Sequence, residues 1–193
     1  MPLAQEIAAK QLTVLYLDEC HLVWGDACGD VWGPSDQRIT VPIAHQRDRQ
    51  TSYGALDAYT GEVTVIPMEA GTTEGTLVFV EWLRQQDTGK RLIICWEGAS
   101  HHRSAALREY LEAVHLGQSQ EQWPLTCIQF APHAPEQNPS ETVWLQAKED
   151  VRTQWQRCQE HFQSVMNLFE EALNTMTFDF QKLRMYLPHL LPD

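Results

Sequence analysis

Short apolar runs alternate along the chain with longer amphipathic stretches. Residues 12–17 (Leu-Thr-Val-Leu-Tyr-Leu) are apolar on both alternating faces and stop at Asp18-Glu19, which predicts a strand buried on both sides. Residues 20–50 are polar, with Gly25, Gly29 and Gly33 marking turns around Trp24 and Trp32. Two β-prone runs, 51–57 and 62–67, flank Ala58-Tyr59-Thr60-Gly61 and predict a hairpin, with Asp57 at its turn. From Thr73 to Gln86, Leu77, Val80, Trp82 and Leu83 recur at helical spacing, with Thr72 or Thr73 as the cap. Residues 91–96 repeat the first pattern and again end in an acid, Glu97. Ser104 to His115 places Leu107, Leu111 and Val114 on one side of a helix, and residues 125–130 predict a third core strand. Pro132, Pro135 and Pro139 require an extended loop. A long helix is expected from Asn138. Another should start at about Gln159, where Phe162, Val165, Phe169, Leu173 and Met176 hold the helical period. The order predicts an α/β fold: one mixed five-stranded sheet flanked by helices.

Composition narrows this picture. A chain of 193 residues fits a single domain over residues 1–193 and can bury a core without covalent staples. With 14 Lys and Arg against 26 Asp and Glu, the net charge is −12, which argues against holding nucleic acid by bulk charge but leaves room for a local basic groove. The longest apolar runs, 12–17 and 92–96, are far short of the ~20 residues of a membrane helix, so no membrane partner is expected. The first residues lack a basic segment followed by an apolar one, so a signal peptide is not indicated. Five cysteines, an odd and scattered set, fit reduced thiols in a cytoplasm. Cys20-His21 with Cys28 lacks a second pair at finger spacing, which argues against structural zinc.

Three acids sit at the ends of elements. Asp18 follows the first core strand, Glu97 follows a later one, and Glu141 falls in the first turn of the helix after the third. Ligand sites in open α/β sheets form beyond the carboxyl ends of strands. Carboxylates converging there repel unless hard cations such as Mg²⁺ or Mn²⁺ sit among them, and a two-metal site of that kind performs phosphoryl transfer. Each acid has a plainer reading. Strand ends are solvated, and Asn138, Pro139 and Glu141 have the spacing of a capping box, in which Glu141 would only hold its helix. The pattern alone leaves these alternatives open.

Three segments together resemble the catalytic domain of the IS630/Tc1/mariner transposase superfamily. They are Leu17-Asp18-Glu19 with Trp32-Gly33-Pro34 and Tyr53-Gly54-Ala55-Leu56-Asp57; Ile94-Cys95-Trp96-Glu97-Gly98-Ala99-Ser100-His101-His102; and Ala134-Pro135-Glu136-Gln137-Asn138-Pro139-Ser140-Glu141 continuing to Trp144 and Lys148. The resemblance spans roughly residues 12–155 and implies an RNase H-like fold. It also implies a DDE catalytic triad, here Asp18, Glu97 and Glu141, holding Mg²⁺ or Mn²⁺ to cut transposon-end DNA and join it to a target. His102 takes the family's histidine position, either to contact DNA phosphate or to organise the acids. Lys148 and Arg152 lie on one side of the following helix, either as candidate phosphate contacts or as part of a solvated face.

The sequence departs from the family pattern in three ways. The second acid is Glu97 where Asp is usual, which moves the carboxylate outward by a methylene. The interval from Glu97 to Glu141 is longer than in compact members, with the extra residues expected between His115 and Pro124. The N-terminal helix-turn-helix region that reads transposon ends is not found ahead of the first strand. The resemblance implies a bacterial cytoplasm, nucleoid-associated on DNA, with a homodimer or a separate helix-turn-helix chain as further partners. The alternative is a catalytically silent or domesticated remnant that binds nucleic acid or protein. A junction resolvase fits less well because of the Asn138-Pro139-Ser140-Glu141 segment.

Overall fold

The computed structural model describes residues 3–9, 11–28, 33–38, 40, 48–86, 89–131, 137–158 and 161–176. In chain order the elements are α1 (Leu3–Ala8), β1 (Leu12–Val23), β2 (Arg49–Asp57), β3 (Val63–Met68), α2 (Thr73–Gln86), β4 (Arg91–Trp96), α3 (Ala105–His115), β5 (Leu125–Gln129), α4 (Glu141–Thr153) and α5 (Phe162–Thr175). The five strands form one sheet in the order β3-β2-β1-β4-β5. β2 pairs antiparallel with both β1 and β3, whereas β4 pairs parallel with β1 and β5.

β1 is the centre of the sheet and is longer than its apolar run predicts. It continues through Asp18-Glu19 to Val23, with Asp18 opposite Gly54 and Val23 opposite Arg49 on β2. Asp18 is therefore a mid-strand residue, not a strand-end one. The extension survives two acids because side chains alternate between faces, and Cys20 and Leu22 stay buried while His21 and Val23 are exposed.

That alternation sorts the core. Leu15 and Leu17 join Ile94, Trp96, Phe79, Val80 and Leu107 in a cluster against α2 and α3. Cys20 and Leu22 join Val143, Trp144, Ala147, Val165 and Phe169 in a second cluster against α4 and α5. Fully burying each such Leu, Ile or Phe contributes about 1.5–3 kcal/mol, and the two clusters clamp the sheet from both sides. Trp24 is buried there too, against Phe162 with ring centroids 6.1 Å apart, so it roofs the core. Trp32 lies outside the described residues.

Most boundaries match their signals. Thr72 Oγ1 accepts from the Gly75 amide at the start of α2 (3.0 Å), and Ser104 Oγ accepts from that of Leu107 at the start of α3 (3.2 Å). Asp57 Oδ1 accepts from the Tyr59 and Thr60 amides (2.7 and 2.8 Å), closing the β2–β3 turn in which Gly61 has φ 74°. Two expectations need correction. β5 contributes Leu125 to the core but is the edge strand of the described sheet, with Ile128 47% exposed, since among the described residues no further strand pairs with it. α4 begins at Glu141, not Asn138: Asn138 Oδ1 accepts from the Ser140 amide (3.2 Å) and hydroxyl (2.5 Å), forming a turn ahead of the helix. Pro132 and Pro135 lie outside the described residues, as does Gln159, and α5 is described from Phe162.

Candidate functional site

β1 and β4 run in parallel register from Leu12 opposite Arg91 to Tyr16 opposite Cys95. Two residues beyond that last pair, the two chains reach Asp18 and Glu97, and in-register neighbours in adjacent strands face the same side. Glu141 opens α4 on that side, the face covered by Trp144. Asp18, Glu97 and Glu141 all line one groove of about 530 Å³, together with Glu19, Cys20, His21, Gly71, His101, Trp144, Leu145 and Lys148. Sequence reasoning expected the three acids to meet at one rim of the sheet, and they border a common groove. Asp18 is buried at its floor, while Glu97 and Glu141 are exposed at its edge.

The floor is electrostatically strained. Burial, then Glu19, Glu141 and Glu97, push the Asp18 carboxyl up to about 7, against a lowering hydrogen bond from Trp144. The Trp144 indole N–H donates to Asp18 Oδ2 at 2.9 Å. That indole lies over Gly54, where a Cβ would come within 2.5 Å of its ring carbons. Gly54 is thus the gap through which a helix side chain reaches the central strand. Neither Trp144 nor Gly54 was singled out for this role from the sequence. The available signal was position: Trp144 follows Glu141 by three residues, on the same helical side.

The candidate DNA-contacting residues divide. The His102 side chain is fully buried, which goes against the phosphate-contacting role and fits the role of organising the acids. Its ring stacks on Trp96 (centroids 4.5 Å, planes 5° apart), its Nδ1–H donates to the Glu97 carbonyl at 3.0 Å, and its Nε2 lies 2.9 Å from Glu19 Oε1. It braces the turn that carries Glu97. Lys148 lines the groove, donates to the His21 carbonyl (2.8 Å) and pairs with Asp26 (3.1 Å). Arg152 pairs with Glu149 at 3.2 Å and is not among the groove residues. Glu19, absent from the sequence-based site, is the partner of both histidines, with His101 Nε2 at 3.1 Å.

An all-carboxylate donor set at the floor and rim suits a hard dication. Asp18, Glu97 and Glu141 supply carboxylate oxygens to this groove, but among the described residues only Glu19, His101 and His102 bring three ligand atoms within 4.8 Å of one another.

A sequence model of the DDE superfamily endonucleases matches residues 13–163. The chain belongs to that family. Its fold is also similar to solved structures. The Mos1 transposase paired-end complex with left transposon end is 14% identical at a TM-score of 0.60, over 97% of this chain and 55% of that one. The Mos1 mariner paired end complex with Mn is 15% identical at 0.59, over 92% and 52%. The catalytic domain of Mos1 mariner transposase is 13% identical at 0.55, over 92% and 76%. No curated protein matches the chain. This DDE endonuclease domain thus has the mixed sheet and flanking helices of the RNase H-like transposase cores, and it spans about half the length of the Mos1 chains in the two complexes. Among its described residues no helix is long and apolar enough to cross a membrane.

Proposed function

We propose that the groove is the active site of a divalent-metal-dependent DNA-cutting and strand-transferring domain of the IS630/Tc1/mariner type, with Asp18, Glu97 and Glu141 as its metal-holding acids. The observation that carries this reading is the Asp18 carboxyl, buried at the floor and pushed up to about 7 by burial and neighbouring negative charge. A buried acid among other acids is a poor structural choice and a good cation ligand. The similar Mos1 mariner paired end complexes with Mn and with Mg support the choice of Mg²⁺ or Mn²⁺. Bound there, either ion supplies Lewis acidity toward a phosphodiester.

The chain's own groups do the positioning. Trp144 commits Asp18 Oδ2 to its indole N–H and so fixes the carboxylate plane. His102 holds the Glu97 carbonyl, anchoring the turn while the longer Glu97 side chain reaches outward. Lys148 is the cation on the groove wall, available to a phosphate by leaving Asp26. Transposon-end and target DNA are the proposed substrates.

Nicking of supercoiled plasmid in Mn²⁺, compared across variants, tests the proposal. The native chain should nick, Asp18→Asn should abolish nicking, and Glu97→Asp should raise the rate about tenfold or more by restoring carboxylate reach. Nicking that survives Asp18→Asn would exclude this groove as the source. The exposed Glu97 at the position of the second acid favours a second reading, a silent nucleic-acid-binding remnant. Duplex binding without nicking in both the native chain and Glu97→Asp would select it.

A further inference from the structure

Asp18 and Glu19 are neighbours on β1 and therefore face opposite sides of the sheet. Asp18 looks toward α4. Glu19 meets His101 and His102, in the turn that follows β4, with His101 Nε2 at 3.1 Å and His102 Nε2 at 2.9 Å from the same oxygen, Oε1. The three ligand atoms all lie within 4.8 Å of one another. We propose that Glu19, His101 and His102 form a second cation site, separate from the three acids, that takes a transition-metal dication of the Zn²⁺ class.

Hydrogen-bond arithmetic is the first support. The Glu97 carbonyl can only accept, so His102 Nδ1, 3.0 Å away, carries a hydrogen. In the neutral ring the other nitrogen, Nε2, then presents a lone pair, and that lone pair points at a carboxylate oxygen. Two acceptors 2.9 Å apart repel unless a cation lies between them. It is either a proton or a metal ion. A ring held by Nδ1–H on a backbone carbonyl, with Nε2 free to ligate, is the arrangement that metal-binding histidines commonly have.

Geometry and chemistry decide the class of ion. Metal–ligand bonds of about 2.0–2.1 Å at a tetrahedral centre space the donors about 3.3 Å apart. The two Glu19–histidine separations, 3.1 and 2.9 Å, are within a few tenths of an ångström of that spacing, and all three ligand atoms lie within 4.8 Å of one another. Two imidazoles and one carboxylate suit Zn²⁺, Co²⁺ or Ni²⁺, whereas Mg²⁺ prefers oxygen alone. Trp96 stacks under His102 and closes the inner side, while Glu19 and His101 border the groove, which leaves the outer position open to water or a phosphate oxygen. An ion there would tie mid-β1 to the turn that carries Glu97.

Co²⁺ titration of the chelator-treated protein, followed by its visible absorption, tests this site independently of the proposed function. The native chain should bind one Co²⁺ with a visible band displaced by Zn²⁺. The band should persist in the Asp18→Asn/Glu141→Gln double variant, and His101→Ala should weaken binding about tenfold or more. Because His102 is buried and its replacement risks misfolding, the part-exposed His101 is the variant of choice. A second measurement needs no variant: Zn²⁺ should shift the Cε1–H proton resonances of two histidines in the native protein at one equivalent. The site is overturned if the native chain shows neither the band nor the resonance shifts. It is equally overturned if the band survives His101→Ala but disappears in the double variant, since the ion would then belong to the three acids.

Discussion

Asp18 is costly to the folded protein when no cation is bound. Its carboxyl ionises at about 7 in the fold and near 3.8 when free of it. Between those values the folded state holds the proton more tightly, so stability falls as pH rises from about 4 to 7 and stays low above that. Below about pH 4 both states are protonated and the penalty is gone. In chelator, Asp18→Asn should therefore raise the melting temperature at pH 8, by an amount corresponding to a few kcal/mol, and leave it nearly unchanged at pH 4. Millimolar Mn²⁺ should close much of the gap at pH 8 by stabilising the native carboxylate form. Thermal melts at the two pH values check all three outcomes. A stability difference independent of pH would mean that the substitution acts through packing rather than charge.

At the scale of elements, the contact between α4 and the sheet depends on the missing side chain of Gly54. A methyl group there would sit 2.5 Å from the Trp144 ring carbons, so the indole and the start of α4 must shift together. Gly54→Ala should cost about 1–3 kcal/mol and reduce nicking sharply, since both Asp18 and Glu141 depend on that helix. Gly25→Ala, where nothing lies within 4 Å of the added Cβ, should leave both the melt and the nicking rate close to native. The same region shows what the sequence could and could not disclose. The apolar run at 12–17 predicted the central strand, but Asp18-Glu19 looked like its end. Only alternation at Cys20-His21-Leu22-Val23 betrayed the continuation, and it is short and mixed. Asp18, Glu97 and Glu141 were legible because each lies in a distinctive local pattern. Glu19 and Trp144 were not, because their importance comes from partners about 80 and 126 residues away. The start of α4 was misjudged for a similar reason: Asn138 spends its side chain on Ser140 rather than on the helix amides.

On the scale of the whole molecule, the net charge of −12 opposes a polyanion, and Lys148 is the only Lys or Arg among the described residues that line the groove. Duplex binding by this chain should therefore rely on divalent ions more than on basic side chains. Fluorescence anisotropy with a labelled duplex should show weak binding in chelator and clearly tighter binding in Ca²⁺. The slope of log K against log salt should stay shallow, about −1 to −3, as befits one to three displaced counterions. A steep slope in chelator would show that a basic surface elsewhere carries the DNA.

The placement of Asp18 and Glu19 on opposite sides of one strand has a corollary. A mutation that slid β1 by one residue against β2 and β4 would turn Asp18 to the side of the histidines and Glu19 to the side of α4, undoing both clusters at once.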